Sequence, residues 1–354
     1  MMKLISRRTV LLFAVLTFIS SQPVLSTQVI SSLPALDSLV SELLVGTPIS
    51  NDVLISGDDS PHSFLIKPSH KYKIDKADLV VFISPYLELN IHKMVKSVKK
   101  DEQIYIVAEH VPRLYPLRQA HGHDDEDEHH DEDEHHDDED KHHDEDEHHD
   151  EDEDHEAHHD EEVAAGLTEH MLETTEHLRK KLDRADSHIW LSMNNMKNFS
   201  HDIAEKLKNL YPEHSVAITK NLAQLTTQFA ESEVQIAKRL DSVKRQPYLL
   251  YHDNLQYFES HFKLGTTNFI YEDPSVSLSL KQYENLEKII RLQNIKCIYA
   301  EEQFSASIVQ KLKSKFDIKL FVIDVLGRDY NNGDKGSYFK LMERIADSLN
   351  QCSA

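Results

Sequence analysis

The chain has 354 residues, with 62 acidic against 39 basic side chains and a formal net charge of −23, a balance that argues against nucleic acid as a partner. Nearly all of that excess lies in residues 121–162, which hold 26 of the acidic residues, 13 of the 24 histidines and a single Lys. The rest of the chain is close to neutral, so the acidity describes one segment and not the folded surface.

The first residues carry Lys3, Arg7 and Arg8 ahead of an apolar run from Val10 to Ile19, with small residues around Val24-Leu25-Ser26. This pattern predicts a cleavable secretory signal peptide over 1–26, its apolar run too short to span a bilayer. Ser6-Arg7-Arg8 resembles a twin-arginine signal only weakly, and no Cys near the cleavage site invites a lipid anchor. The mature chain is therefore expected to be soluble and exported to the periplasm. Without signal and insert, roughly 285 residues remain, enough for two lobes with separate cores.

The first lobe is expected over 27–212. Thr27 to Ser32 reads as a strand, and Leu36, Leu39, Val40, Leu43 and Leu44 fall at helical spacing before Gly46. Val53-Leu54-Ile55 reads as a second strand, ended by the turn Ser56-Gly57-Asp58-Asp59. A short helix starts at Pro68-Ser69. Leu79 to Ile83 is a continuous apolar run suited to a buried parallel strand, and Ile104 to Val107 repeats it after a basic helix from Leu89 to Lys100. Strands alternating with helices predict an α/β lobe with a mostly parallel sheet.

Residues 121–162 interrupt this lobe. They offer almost no apolar side chain to offset ordering entropy, and their carboxylates repel one another, so a disordered inserted loop is expected. A solvated acidic linker needs no histidine, whereas His-rich tracts bind metal. His121, His123, His129, His130, His135, His136, His142, His143, His148, His149, His155, His158 and His159 are the candidate ligands of an auxiliary, low-affinity collector.

Order is expected to resume near Val163 and to lead into Asp186-Ser187-His188-Ile189-Trp190-Leu191, which contains the only Trp. From residue 213 to 246 there is neither Gly nor Pro, and Ile218, Leu222, Leu225, Phe229, Ile236, Leu240 and Val243 keep helical spacing. One amphipathic helix of order 45 Å, at about 1.5 Å per residue, fits this stretch; a coiled coil is the alternative. The second α/β lobe is expected over 247–354. Its strands are Tyr248–Tyr251, Ile298–Ala300 and Leu320–Ile323, and its helices Leu280–Ile290, Ser305–Phe316 and Tyr338–Leu349.

Cys297 and Cys352 in an oxidising compartment read as a disulfide tying the tail to the start of a strand, with two buried thiols or a metal-binding pair as alternatives. His62, His188 and His252 each follow a strand or sit in the next turn, where side chains enter the crevice of an α/β sheet. They form no local zinc pattern such as HExxH.

The stretches SPHSFLIKPSHKYKIDKADLVVFISPYLE, DSHIWLSMNN, YHDNLQYFESHFKL, CIYAEEQF and IDVLG, in this order, resemble the signatures of the metal-binding subunits of bacterial ABC importers, specifically the zinc-binding ZnuA type. The resemblance covers the whole mature chain, including a His-rich acidic insert at this place. It implies two (β/α) lobes with mostly parallel sheets, joined by one long rigid α-helix, with a zinc ion held between them. It also implies His62 (SPH), His188 (SHIW) and His252 (YHD) as imidazole ligands, with water or a carboxylate fourth. Asp324, in IDVLG where the family reads LDPLG, is the reserve carboxylate. Pro61 stands where some relatives place an acid before the first His, HDNL replaces HDAY, and EEQF replaces EPQF. The resemblance further implies a Cys297–Cys352 disulfide, a monomer, and a membrane permease with its cytoplasmic ATPase as partners.

Ligand chemistry favours zinc over manganese, which prefers oxygen-rich sites of higher coordination, and manganese-transporting relatives carry a carboxylate at the third position. Two rival functions remain. A periplasmic zinc buffer or chaperone would need no permease. A zinc hydrolase would need a general base, for which Asp253 and Glu301 are the nearest candidates; both read more simply as structural groups or as supports of the ligands, and neither GxSxG nor HExxH is present.

Overall fold

The computed structural model describes residues 28–118, 180–243, 246–265, 268–272, 274, 276–304, 307–329 and 334–352. The expected signal segment 1–26 and the His-rich insert 121–162, with all thirteen of its histidines, lie outside the described residues. No helix among those described is long and apolar enough to cross a membrane.

Two four-stranded parallel sheets are built on the same plan. In the first, β1 (Gln28–Ser31) lies between β2 (Ser50–Val53) and β3 (Leu79–Phe82), and β4 (Ile104–Ile106) pairs the far side of β3. In the second, β5 (Leu249–His252) lies between β6 (Asn268–Tyr271) and β7 (Cys297–Ala300), with β8 (Lys319–Val322) beyond β7. Strands that are covered on both faces carry continuous apolar runs, as the fully buried LVVF of β3 and LLYH of β5 illustrate.

Helices cross between the strands: α1 (Pro34–Leu43), α2 (Pro68–Lys76), α3 (Leu89–Val98) and the one-turn α4 (Val107–His110) in the first lobe. After the insert come α5 (Met193–Leu210) and α6 (Ser215–Arg239), then α7 (Gln256–Phe262), α8 (Leu280–Leu292), α9 (Ser307–Lys315) and α10 (Ser337–Asn350). The linking helix α6 has 25 residues, about 37 Å at ~1.5 Å per residue, shorter than expected because Pro212–His214 and Leu240–Ser242 wind as separate 3-10 turns. It packs on α1 and α5 of the first lobe and on α10 of the second, and α1 and α10 also pack on each other. Asn221 fastens it further: its buried amide donates to the carbonyls of Leu43 and Val45 at 2.9 and 2.8 Å, satisfying groups that the end of α1 leaves open. One buried apolar cluster therefore runs from Val29 in β1 through Ile218, Leu225 and Phe229 of α6 to Leu349 of α10, so the lobes share a core. A smaller cluster fills the far side of the second sheet.

The expected strand Val53–Ile55 lies earlier, at Ser50–Val53. As the partly exposed edge of its sheet, it carries the polar residues SNDV, while Leu54 and Ile55 are buried just past it and bond back to Ser31 and Ser32. The helices α5 and α7 and the strand β6 are additions to the expected elements. The first is capped by Ser192, whose hydroxyl accepts the Asn195 N–H at 3.2 Å.

Candidate metal centre

The three histidines reach one place from three separate elements. His62 sits in a 3-10 turn, Pro61–Ser63, that follows the loop after β2. His188 precedes the 3-10 turn Ile189–Leu191, and His252 ends β5. They come together where the carboxyl ends of two parallel sheets meet, the usual crevice of such folds. His188 and His252 are buried, at 5% and 2% exposure, and His62 is exposed, so the crevice opens on the side of the first lobe.

Their Nε2 atoms converge. His188 lies 3.4 Å from His62 and 3.3 Å from His252, and one nitrogen from each ring falls within 4.8 Å of the other two. A tetrahedral ion bound at ~2.05 Å needs ligand–ligand edges of about 3.3 Å, so two edges of such a site are already in place.

Carboxylates set which nitrogen of each buried ring is free. Asp186 Oδ1 accepts the backbone N–H of His188 at 2.9 Å and meets its Nδ1 at 2.7 Å; Glu301 Oε1 meets Nδ1 of His252 at 3.0 Å. A carboxylate accepts, so each Nδ1 carries the proton and each Nε2 presents its lone pair. Two lone pairs facing at 3.3 Å repel unless a cation lies between them. A proton or a metal ion answers that need. Burial alone would push the pKa of His188 down, but Asp186, with Asp253 and Glu301, outweighs it and holds the ring above its ordinary value.

The surroundings hold the rings still. Trp190 packs on His188 and donates its indole N–H to the Val325 carbonyl at 2.8 Å, and Phe304 stands edge-on to His252. Gln303 donates to the other oxygen of Glu301 at 3.2 Å.

Asp324, the reserve ligand, is not in the converging group. Its two oxygens accept the backbone N–H groups of Leu326, Gly327 and Arg328 at 3.0, 2.9 and 2.8 Å and so close their own loop. Asp253 is paired with Arg118. Cys297, at the start of β7, is bonded to Cys352 just past α10, with Cα atoms 6.0 Å apart. Sequence reasoning left Asp186 without a role, although a carboxylate two residues before a ligand was a visible signal, and it passed over Arg118, for which no local signal exists.

The ZnuA family model, "Zinc-uptake complex component A periplasmic", matches residues 29–352. The chain is 32% identical to the high-affinity zinc uptake system protein ZnuA of Haemophilus influenzae over 95% of its own length and 96% of that protein's. It is 29% identical to the ZnuA of Haemophilus ducreyi over 98% of each. Among solved structures, a crystal structure of ZnuA superposes with a TM-score of 0.62 at 17% identity, covering 92% of this chain and 99% of that one. The periplasmic zinc-binding protein TroA of Treponema pallidum superposes with a TM-score of 0.67 at 12% identity, over 93% and 99% of the two chains; both likenesses speak to the fold. A match that runs almost end to end, on a chain whose two lobes bring three imidazoles together, makes this protein a member of the ZnuA family.

Proposed function

We propose that the chain is the extracytoplasmic zinc-binding subunit of an ABC importer, which captures Zn²⁺ between its lobes and hands it to a membrane permease driven by a cytoplasmic ATPase. The observation that carries this reading is the convergence of Nε2 of His62, His188 and His252, two of whose separations equal the edges of a tetrahedral zinc site. Three nitrogens with no carboxylate among them suit zinc better than manganese. Water takes the fourth place in this reading, because Asp324 lies outside the converging group.

A carrier is favoured over a hydrolase by what the neighbouring carboxylates do. Asp186 and Glu301 each hold a ligand ring and Asp253 holds Arg118, so none is placed as a free general base. The shared core along α6 limits the lobes to small relative movements, and delivery then depends on the permease disturbing a ligand-bearing loop. The insert, residues 121–162, serves as a weaker store that raises the ion's local concentration near the cleft. Because imidazoles bind metal only when deprotonated, protons compete with the ion.

A competitive titration tests the assignment. Deleting residues 123–159 is expected to leave one tight zinc per chain and remove the weaker ones. Loss of the tight ion on deletion would overturn this division of labour, and a preference for manganese would overturn the choice of metal.

A further inference from the structure

The two chain segments that lead into and out of the insert are built into the metal centre. Pro116 and Ala185 form an antiparallel bridge, Leu117 N–H donates to the Arg184 carbonyl at 2.9 Å, and Asp186 N–H donates to that of Tyr115 at 2.9 Å. The outgoing segment thus ends on the carboxylate that orients His188. Helix α7, from the second lobe, fastens this ribbon: the Tyr257 hydroxyl accepts the Tyr115 N–H at 3.1 Å and donates to the Asp186 carbonyl at 2.8 Å. Tyr115 and Ser260 share a hydroxyl contact of 2.6 Å.

The incoming segment ends on Arg118, which crosses to the second lobe. Its Nε reaches both oxygens of Asp253, at 3.1 and 2.9 Å, and Nη2 also meets Asp253 Oδ1. Nη1 bonds Glu259 Oε2 at 2.8 Å, and Glu259 Oε1 accepts from the Tyr248 hydroxyl at 2.7 Å. The guanidinium lies 5.7 Å from the centre of the Phe269 ring. Asp253 directly follows the ligand His252, and both carboxylates are buried, at 7% and 4% exposure. A planar fork that satisfies two buried acids at once is a strong and geometrically specific contact.

We propose that Arg118 is a positioning residue of the metal centre, a tie from the root of the insert to Asp253 and Glu259 that keeps the second lobe, with His252, against the first and so slows release of the ion. The proposal rests on the carrier reading. A tie and a mere counter-charge predict opposite results. Removing a counter-charge leaves more negative charge near a dication and slows its release, whereas removing a tie speeds it.

The experiment measures zinc release from the full-length chain into excess chelator, beside thermal melting. Arg118→Gln is expected to raise the slow release rate by about tenfold or more, with Arg118→Lys intermediate because an ammonium satisfies only part of the fork. Val95→Ala, in the core of the first lobe away from the tie, serves as the control for lost stability and is expected to lower the melting temperature without changing release. Release from Arg118→Gln that is unchanged or slower, or a rise that Val95→Ala reproduces, would overturn the tie and leave the carrier reading standing. A wild-type chain that holds no zinc would overturn both.

Discussion

Asp186 grips His188 twice, through the backbone N–H at 2.9 Å and the ring Nδ1 at 2.7 Å, so that one carboxylate oxygen sets the residue's position and its tautomer. Asp186→Ala removes both contacts and frees the ring to turn. Zinc affinity is expected to fall by about 10- to 100-fold, the usual cost of losing the partner that orients a metal-bound His. A competitive chelator titration reads the effect.

Gly57 stands where no side chain fits. A Cβ built there would lie 2.4 Å from the Arg328 Cα, where the loop before His62 presses on the second lobe's loop after Asp324. Asp58 adds an ion pair to Arg328 at 2.6 Å. Gly57→Ala must push the two loops apart and carry His62 outward. A loss of about 1–3 kcal/mol in stability is expected, with weaker zinc binding, measured by melting with and without the metal.

Glu88 is a buried acid whose Oε2 accepts the N–H groups of Ile83 and Ser84 at 2.6 and 3.2 Å. Burial pushes its pKa up to about 7, against the opposing pull of the N–H groups of Ser84 and Ile83. A raised pKa means that the folded state prefers the protonated acid. Its contribution is therefore full below about pH 4.5 and is lost as pH rises through about 7, a swing on the order of 3 kcal/mol. Glu88→Gln is expected to flatten that part of the stability–pH curve and to melt above wild type at pH 8. Melting scans from pH 4 to 8 check this.

The Cys297–Cys352 bond closes a loop with a sequence separation of 55, joining β7 to the end of α10. Chain-entropy reasoning gives about 4 kcal/mol for such a closure. Cys352→Ser is expected to lower the melting temperature by on the order of 10 °C while leaving the zinc stoichiometry intact, since neither sulfur belongs to the ligand set. Calorimetry with a parallel metal titration measures both.

Much of this architecture was legible in the chain because burial on both faces leaves an unmistakable mark. LVVF of β3 and CIYA of β7 could be little else, and the glycine-free stretch around Leu225 and Phe229 had to be helical. Elements whose apolar content is thin or interrupted were harder. Helix α5 opens with MNNMKN, half of it Asn, a weak helix former, and β6 offers only the four residues NFIY. In the site, the short motifs around His62, His188 and His252 pointed to the ligands through their resemblance to the family's signatures; of the three only His252 ends a strand, while His62 lies in a 3-10 turn well past β2 and His188 just after the bridge at Ala185. Glu301, which meets Nδ1 of His252, already read as a supporting group, and Asp186 stood in view two residues before His188, whereas the arginine that spans the lobes left no local mark. Arg118 and Asp253 are 135 residues apart, and only folding puts them in contact.

The central claim is that one ion sits on three imidazoles. Crystals of the zinc-loaded protein, measured at the zinc absorption edge, test it most directly. The expected map has its strongest peak at about 2.0–2.1 Å from Nε2 of His62, His188 and His252, with a water completing the tetrahedron. A strongest peak that lies elsewhere, or that reaches fewer than three of these rings, would contradict the account.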